Sequence, residues 1–594
     1  MKKVKKSIPL ITHRKLLARY FKPQMKKGCI LAFLLLISVG LQLANPLVLR
    51  DFIEMITEDV SQSKLVFTAI IFISIAITNQ MISVVASYLA QKIAWKAKNE
   101  LRKDLLVHCL NLDISFHKEH TPGEMIERID GDVNVMGNFF SNFLVLIFTN
   151  SIFLLGVLLV LFNEHWLIGI SLSLIVVTAF FLLKWIRSIS TPYWAEVREI
   201  STRFFSYIGE QVAGVDDIRS NGALGFVMNK FYVMLNKWLP SKQKAAISGA
   251  VIWSTTIFTF AICNITSFIV CYYLWGINEI TVGTAYMVFL YTEFLIRPIE
   301  VLRTQIEDLQ MVDVSIHRFD QLFNQTSSII DGQEPLVIGF NDFSIQFEDV
   351  TFGYNETDVA LRNISFKIEN GETLGIIGRT GSGKTSITRL LLRFYDPQNG
   401  AITIGDRLLQ GIPLVELRRR IGVVTQEIEL FSGSIRDNLT FYESSITNEE
   451  LSQVIEELGL QDLMGSLPKG LDTMIDAGGS IFSAGEAQLL SIARVFLKKP
   501  DLIILDEAAS RLDQATEKLI DQALTKLLRG RTSIIISHRI STLNRVDKIV
   551  IVQNGRIIES GYKTDLEENK NSIFRRILAV GKDMDDDIIM DDVV

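Results

Sequence analysis

The sequence predicts an α-helical membrane bundle followed by a soluble α/β domain. Three observations lead there. Hydrophobic residues make up 48% of the chain and the mean hydropathy is +0.28, but the excess is confined to long runs that stop near Leu309. Beyond that point the sequence reads as an ordinary soluble α/β domain, with short apolar stretches of strand length. One of these stretches, Thr373–Ile377, runs into a glycine-rich turn and then a helix-forming segment. At 594 residues the chain is also too long for one compact domain.

The membrane half comes first. A spanning helix needs about 20 mostly apolar residues, and six stretches qualify: 28–49, 65–88, 139–162, 166–186, 250–275 and 282–301. Residues 1–27 hold ten lysines and arginines and no acid, which puts the N-terminus in the cytoplasm. They lack the short apolar core and cleavage site of a signal peptide, so a retained cytosolic leader is expected. The mostly acidic connection 50–64 and the short turns 163–165 and 276–280 then fall outside. Residues 91–138 and 187–248 are long, charged and helix-permissive, and should project into the cytoplasm as helical extensions. Within them, 112–125 reads as a helix, a break and a new helix start, and 210–219 as a second hairpin tip. Each tip is either a short helix that presses on a soluble domain or a plain solvated turn.

Six spans return the chain to the cytoplasm. The expected organisation is a leader at 1–27, a six-span domain with cytoplasmic loops at 28–323, a linker at 324–341, a nucleotide-binding domain at 342–580 and an acidic, solvated tail at 581–594. Glu293 and Arg297 lie four apart in the sixth span, where charges are costly and face a cavity or each other. An internal pair, a position near the cytosolic boundary and a substrate contact all fit that spacing. Cys29, Cys109, Cys263 and Cys271 have no metal or redox spacing and read as small hydrophobes. A net charge of −6 gives no electrostatic footprint for nucleic acid.

The soluble half carries the chemistry. Gly378, Arg379, Thr380, Gly381, Ser382, Gly383, Lys384 and Thr385 have the spacing G-x-x-x-x-G-K-T, with a strand before and a helix after. Glycines let backbone amides approach phosphate oxygens, and the helix N-terminus favours negative charge. Lys384 reaches the terminal phosphates and the Thr385 hydroxyl ligates magnesium, so ATP and Mg2+ are the expected ligands. The apolar run Leu502–Asp506 ends in acids: Asp506 is assigned to the metal and Glu507 to the attacking water. His538, after the apolar run 533–536, is placed at the γ-phosphate, although a histidine at a strand end is often structural. Gln426, after the strand Ile421–Val424, is placed to sense magnesium and the membrane half, and Tyr354 to stack on adenine.

In this order the motifs resemble those of the ATP-binding cassette superfamily, exporter type 1, with six spans fused ahead of one nucleotide-binding domain. The likeness covers almost the whole chain. Residues 378–385 resemble Walker A, 502–507 Walker B with its catalytic glutamate, Gln426 the Q-loop, His538 the H-loop and Tyr354 the A-loop. The resemblance implies an α/β P-loop domain with a helical subdomain, and coupling helices within 116–132 and 210–231. It further implies an ATPase that exports an amphipathic or hydrophobic cargo, such as a drug, lipid or peptide. The protein would be multi-pass, in a bacterial plasma membrane among its lipids, with both termini and the nucleotide-binding domain cytoplasmic.

Two family elements depart from pattern. The signature, usually L-S-G-G-Q, reads Phe482-Ser483-Ala484-Gly485-Glu486, and the D-loop, usually S-A-L-D, reads Ser510-Arg511-Leu512-Asp513. Ser483 and Gly485 remain to grip a phosphate, while Ala484 adds a methyl and Glu486 a negative charge. In the family both elements work on the nucleotide held by the partner subunit. This implies a heterodimer with a second half-transporter of standard signature, leaving one competent and one degenerate site. A homodimer is the alternative, and an ATP-gated channel or sensor that switches without pumping is the rival class.

Overall fold

The computed structural model describes residues 19–20, 22–58, 60–139, 141, 144–334, 342–355, 358–426, 428–443, 445–476, 481–506, 514–537 and 541–583. Contacts divide the chain into two units, one of Met1–Asn111 with His120–Gln325 and one of Leu112–Glu119 with Thr326–Val594.

The first unit is all helix. Its main elements are α1 (Met25–Thr57) and α2 (Gln62–Leu110); then, after α3 (Ile114–Glu119), which clusters with the second unit, come α4 (Pro122–Ile126), a π-helical stretch Glu127–Asp132 and α5 (Val133–Asn138). They are followed by α6 (Leu144–Glu164), α7 (Trp166–Ala213), α8 (Val215–Ser220), α9 (Leu224–Gly276) and α10 (Val282–Phe323). Among the described residues, five helices are long and apolar enough to cross a membrane: Lys22–Thr57, Gln62–Leu110, Val145–Glu164, Trp166–Ala213 and Leu224–Gly276. α10 covers the stretch expected as the sixth span, but Glu293, Arg297 and Glu300 lower its apolar character. α2, α7 and α9 contain 49, 48 and 53 residues. At about 1.5 Å per residue these are more than twice as long as the roughly 30 Å of hydrocarbon requires, as helical extensions demand.

Exposure separates this unit from a soluble bundle. Phe67, Met81, Leu159, Phe181, Trp185, Phe258 and Tyr272 are each at least 63% exposed. So much apolar surface is stable only against lipid or a partner. Inside, Val157, Leu161, Leu172, Met287 and Tyr291 form a dry cluster. The Tyr291 hydroxyl donates to the Leu43 carbonyl at 2.5 Å and pins α10 to α1. Pro46, Pro192, Pro240 and Pro298 all lie within helices, a tolerance usual for membrane helices because neighbouring groups re-satisfy the freed carbonyls. At the ends of α1 and α6 the guanidinium of Arg50 bridges to Glu164 at 2.6 Å. The buried carboxylate of Asp132 accepts from Ser315 Oγ at 2.8 Å and from Arg318 at 3.3 Å, fixing the π-helical stretch to α10.

The second unit is built on sheets. β1 (Ile345–Asn355), β2 (Asp358–Ile368), β4 (Asn399–Ile404) and β5 (Arg407–Leu408) form an antiparallel sheet in the order β2-β1-β4-β5. A six-stranded sheet takes β3 (Thr373–Ile377), β6 (Ile421–Val424), β9 (Leu502–Asp506), β10 (Thr532–Ile536), β11 (Lys548–Gln553) and β12 (Arg556–Tyr562) in the order β12-β11-β3-β10-β9-β6. A short pair, β7 (Gly433–Ser434) and β8 (Met474–Ile475), completes the strands. The apolar-rich composition of β3, β9 and β10 follows from burial on both faces. Along β9, Ile503 and Leu505 enter one core with Leu439, Leu489 and Ile492, and Leu502 and Ile504 enter another with Phe347, Leu361 and Leu390. Helices α11 (Lys384–Leu391) and α12 (Leu414–Arg420) belong to the sheet region. α13 (Ile435–Thr440), α14 (Asn448–Glu457), α15 (Gln461–Ser466) and α16 (Ala484–Lys498) make the helical subdomain, and α17 (Gln514–Leu528), α18 (Lys563–Glu568) and α19 (Ile573–Asp583) follow.

Asp132→Ala leaves Ser315 and Arg318 without their buried acceptor and is expected to destabilise the membrane unit by about 2 kcal/mol. Asp132→Asn, which still accepts from Ser315, should lose less. Thermal unfolding of the two variants in detergent checks the order.

Candidate nucleotide site

Parallel register puts the chemistry at one edge. Ile536 of β10 pairs with Ile376 of β3 and with Asp506 of β9, and Leu505 of β9 pairs with Val424 of β6. The carboxyl ends of all four strands are therefore level, which is where α/β sheets bind ligands. The turn 378–383 leaves β3 at that edge, Asp506 ends β9 there and Gln426 follows β6, exposed. Glu507, Ser510 to Asp513 and His538 lie outside the described residues.

The turn is shaped by close packing. A Cβ on Gly378 would sit 2.2 Å from the Val552 carbonyl oxygen of β11, so only glycine lets the loop pass. Gly383 caps α11 with φ +114°, a left-handed conformation that a side chain rarely adopts. Lys384 is buried, and its ammonium donates to the carbonyls of Gly378 at 2.6 Å and Arg379 at 2.9 Å, which holds it inside the loop. Thr385 is exposed on the first turn of α11. Ser382 Oγ is buried with no hydrogen-bond partner among the described residues. A buried orphan hydroxyl is costly, and a phosphate oxygen would satisfy it. The loop, the ammonium and the exposed Thr385 hydroxyl fit a nucleotide triphosphate with its metal.

Tyr354, on β1, reaches the same helix. Its hydroxyl is 3.0 Å from Ser386 Oγ and accepts from Arg389 Nη1 at 2.8 Å. Phe352 and Tyr395 pack edge-on against its ring at 5.0 and 5.3 Å. Sequence reading did not find Ser386, Arg389, Tyr395 or Lys118, whose ammonium lies 4.5 Å from the centre of the Tyr354 ring. No spacing links Lys118 to Tyr354; only the fold does.

Lys118 belongs to α3, which is docked into the second unit at its other end as well. Asp113 accepts from Ser328 N at 2.7 Å, from Ser328 Oγ at 2.6 Å and from Ser327 Oγ. Burial alone would raise the Asp113 carboxyl, but these hydrogen bonds outweigh it and hold the group below the ordinary carboxylate range. The clamp is thus complete above that range and is lost only as pH falls through the depressed value.

The signature segment forms the start of α16. Ser483 is its N-cap and makes a capping box with Glu486: Glu486 N donates to Ser483 Oγ at 3.3 Å, and Ser483 N donates to Glu486 Oε2 at 2.7 Å. Gly485 is buried beneath the exposed Ser483 and Ala484. The carboxylate is folded onto the amide end of its own helix.

Comparison with known proteins identifies the family. Residues 29–299 match the family description "ABC transporter transmembrane region" and residues 361–510 match "ABC transporter". The chain is 30% identical over 549 residues to an uncharacterized ABC transporter ATP-binding protein, YknV, of Bacillus subtilis, covering 92% of this chain and 91% of that protein. It is 27% identical over 518 residues to the ATP-dependent lipid A-core flippase of Escherichia coli, covering 86% and 88%. A probable multidrug resistance ABC transporter protein of Bacillus subtilis, YheH, is 28% identical over 81% of this chain and 71% of its own length. The fold resembles the solved structure of a bacterial Atm1-family ABC exporter with ATP bound, with a TM-score of 0.78 at 22% identity over 94% of this chain and 98% of that one.

Lys384→Ala removes the ammonium but keeps a good helix former at the start of α11. ATP hydrolysis is expected to fall by about 100-fold or more, with helix content by circular dichroism unchanged.

Proposed function

The chain belongs to the ABC transporter family, and on that premise we propose that it is one half of a heterodimeric exporter of amphipathic or hydrophobic cargo. As a member it is a multi-pass membrane protein that couples ATP hydrolysis to transport. The observation that carries the finer reading is the asymmetry between its own phosphate cradle and what it offers a partner. The cradle is complete, with Lys384 pre-positioned and Ser382 awaiting an acceptor. The signature helix instead has a carboxylate fixed at its N-terminus.

In the proposed cycle, six spans, with α10 the sixth, enclose the cargo path. Lys384 and the amides of 378–383 hold the triphosphate, and Tyr354 stacks on adenine. Thr385, Asp506 and Gln426 hold magnesium, which when bound neutralises charge on the phosphates. Glu507 orients and deprotonates the attacking water, and His538 contacts the γ-phosphate. A partner's standard signature closes this site. In the opposite site, a γ-phosphate approaching Ser483 meets the Glu486 carboxylate. At about 4 Å and an effective dielectric of about 20, two like charges repel by about 4 kcal/mol, enough to leave that site slow. Cargo class is supported by the lipid and multidrug names of relatives and by the Phe-, Leu- and Ile-rich spans.

Three outcomes test this. Glu507→Gln should bind ATP, trap the closed dimer and lose about 100-fold or more of its turnover; normal turnover removes Glu507 from its role. Glu486→Gln keeps the capping box without the charge and should raise ATP hydrolysis at the second site. In inside-out vesicles, an amphipathic dye should accumulate with ATP only when the chain is expressed with a partner of standard signature. Fast, cargo-stimulated hydrolysis by the chain alone would instead establish a homodimer, and conductance without accumulation a channel.

A further inference from the structure

We propose that Lys118 is a positioning residue that competes with adenine for the face of Tyr354, so that ATP binding loosens the Lys118 end of α3 from the nucleotide-binding unit. The proposal rests on the nucleotide site described above and deepens it.

Tyr354 is held on several sides. Ser386 and Arg389 tie its hydroxyl to α11, and Phe352 and Tyr395 pack against its ring. Lys118 Nζ lies 4.5 Å from its ring centre and 5.7 Å from that of Tyr395, so one ammonium sits over two tyrosines. A cation over an aromatic face is attracted by the ring quadrupole, and a base stacks on the same kind of face. The Arg389 guanidinium also lies 5.6 Å from the Tyr354 ring centre, and the face on which Lys118 sits is the one assigned to adenine, since a ring face accepts one of the two at a time. Adenine arriving at Tyr354 therefore displaces the ammonium.

The consequence is directional. α3 is held on the second unit by Lys118 near its end and by Asp113 before its start, with Phe116 buried between them. Adenine removes the first and leaves Asp113 clamped to Ser327 and Ser328, so α3 is freed at one end only. Residues 111–113 join α3 to α2, and an arriving base is thereby signalled to a segment continuous with a spanning helix. Lys118 is itself exposed, so its replacement does not disturb a core.

The test is equilibrium binding to the full-length chain in lipid nanodiscs, comparing ATP with inorganic tripolyphosphate, which has the charge but no base. Lys118→Ala should tighten ATP binding by about three- to fivefold, leave tripolyphosphate unchanged and have no effect on ATP when Tyr354→Leu is also present. Lys118→Arg, which keeps the cation, should behave as the unaltered chain. Weaker ATP binding by Lys118→Ala, an equal shift for both ligands, or an effect that persists in the Tyr354→Leu background would each overturn the competition. Failure of the unaltered chain to bind ATP at all would overturn the nucleotide-site reading along with it, whereas the other contrary results leave that reading standing.

Discussion

Everything in the soluble half depends on one constraint, the parallel register of β3, β10, β9 and β6. Parallel ladders bond only when neighbouring strands run level, and these four are held level by pairings such as Ile536 with Ile376 and with Asp506. Residues far apart in sequence therefore meet at one edge without any direct bond between them. The strands are buried along their length on both faces, which is why each is dominated by apolar residues. The site and the core are two consequences of one set of backbone hydrogen bonds.

The membrane half obeys a different constraint. In lipid a backbone must satisfy its own hydrogen bonds, so long helices are the available form, and apolar length alone reveals them. That is why five spans were legible as runs and agree with the helices found. The sixth stretch was read at 282–301 and lies in α10, where Glu293, Arg297 and Glu300 interrupt the apolar composition without interrupting the helix. The charged stretches 91–138 and 187–248 were readable as extensions, since helices already nucleated in the membrane propagate at little cost.

The nucleotide motif was legible because its chemistry is local: glycines, lysine and threonine act within eight positions. What surrounds it was not. Asp113 and Ser327 are 214 residues apart, and Arg393, buried at 2% exposure, donates to the Ile330 carbonyl at 2.6 Å across 63 residues. Such contacts tie the linker and α3 to the soluble core, yet no spacing rule encodes them. They exist only in the folded arrangement. The two tips 112–125 and 210–219 looked alike in sequence, and it is the aromatic cluster at Tyr354 that gives the first one something to hold.

Glu486 is right for folding and, on the proposed cycle, wrong for binding. At the third position of α16 a carboxylate complements the helix dipole and closes a capping box, worth about 1 kcal/mol to the helix. The amides at that same helix end are what an incoming phosphate needs. An internal anion three residues from Ser483 competes with an external one at the same pole, and it does so without any loss of structure. Glutamine would close the same box with a neutral acceptor, so the charge is dispensable for folding. On the proposed two-site cycle, the charge of Glu486 therefore acts on the approaching phosphate rather than on the fold.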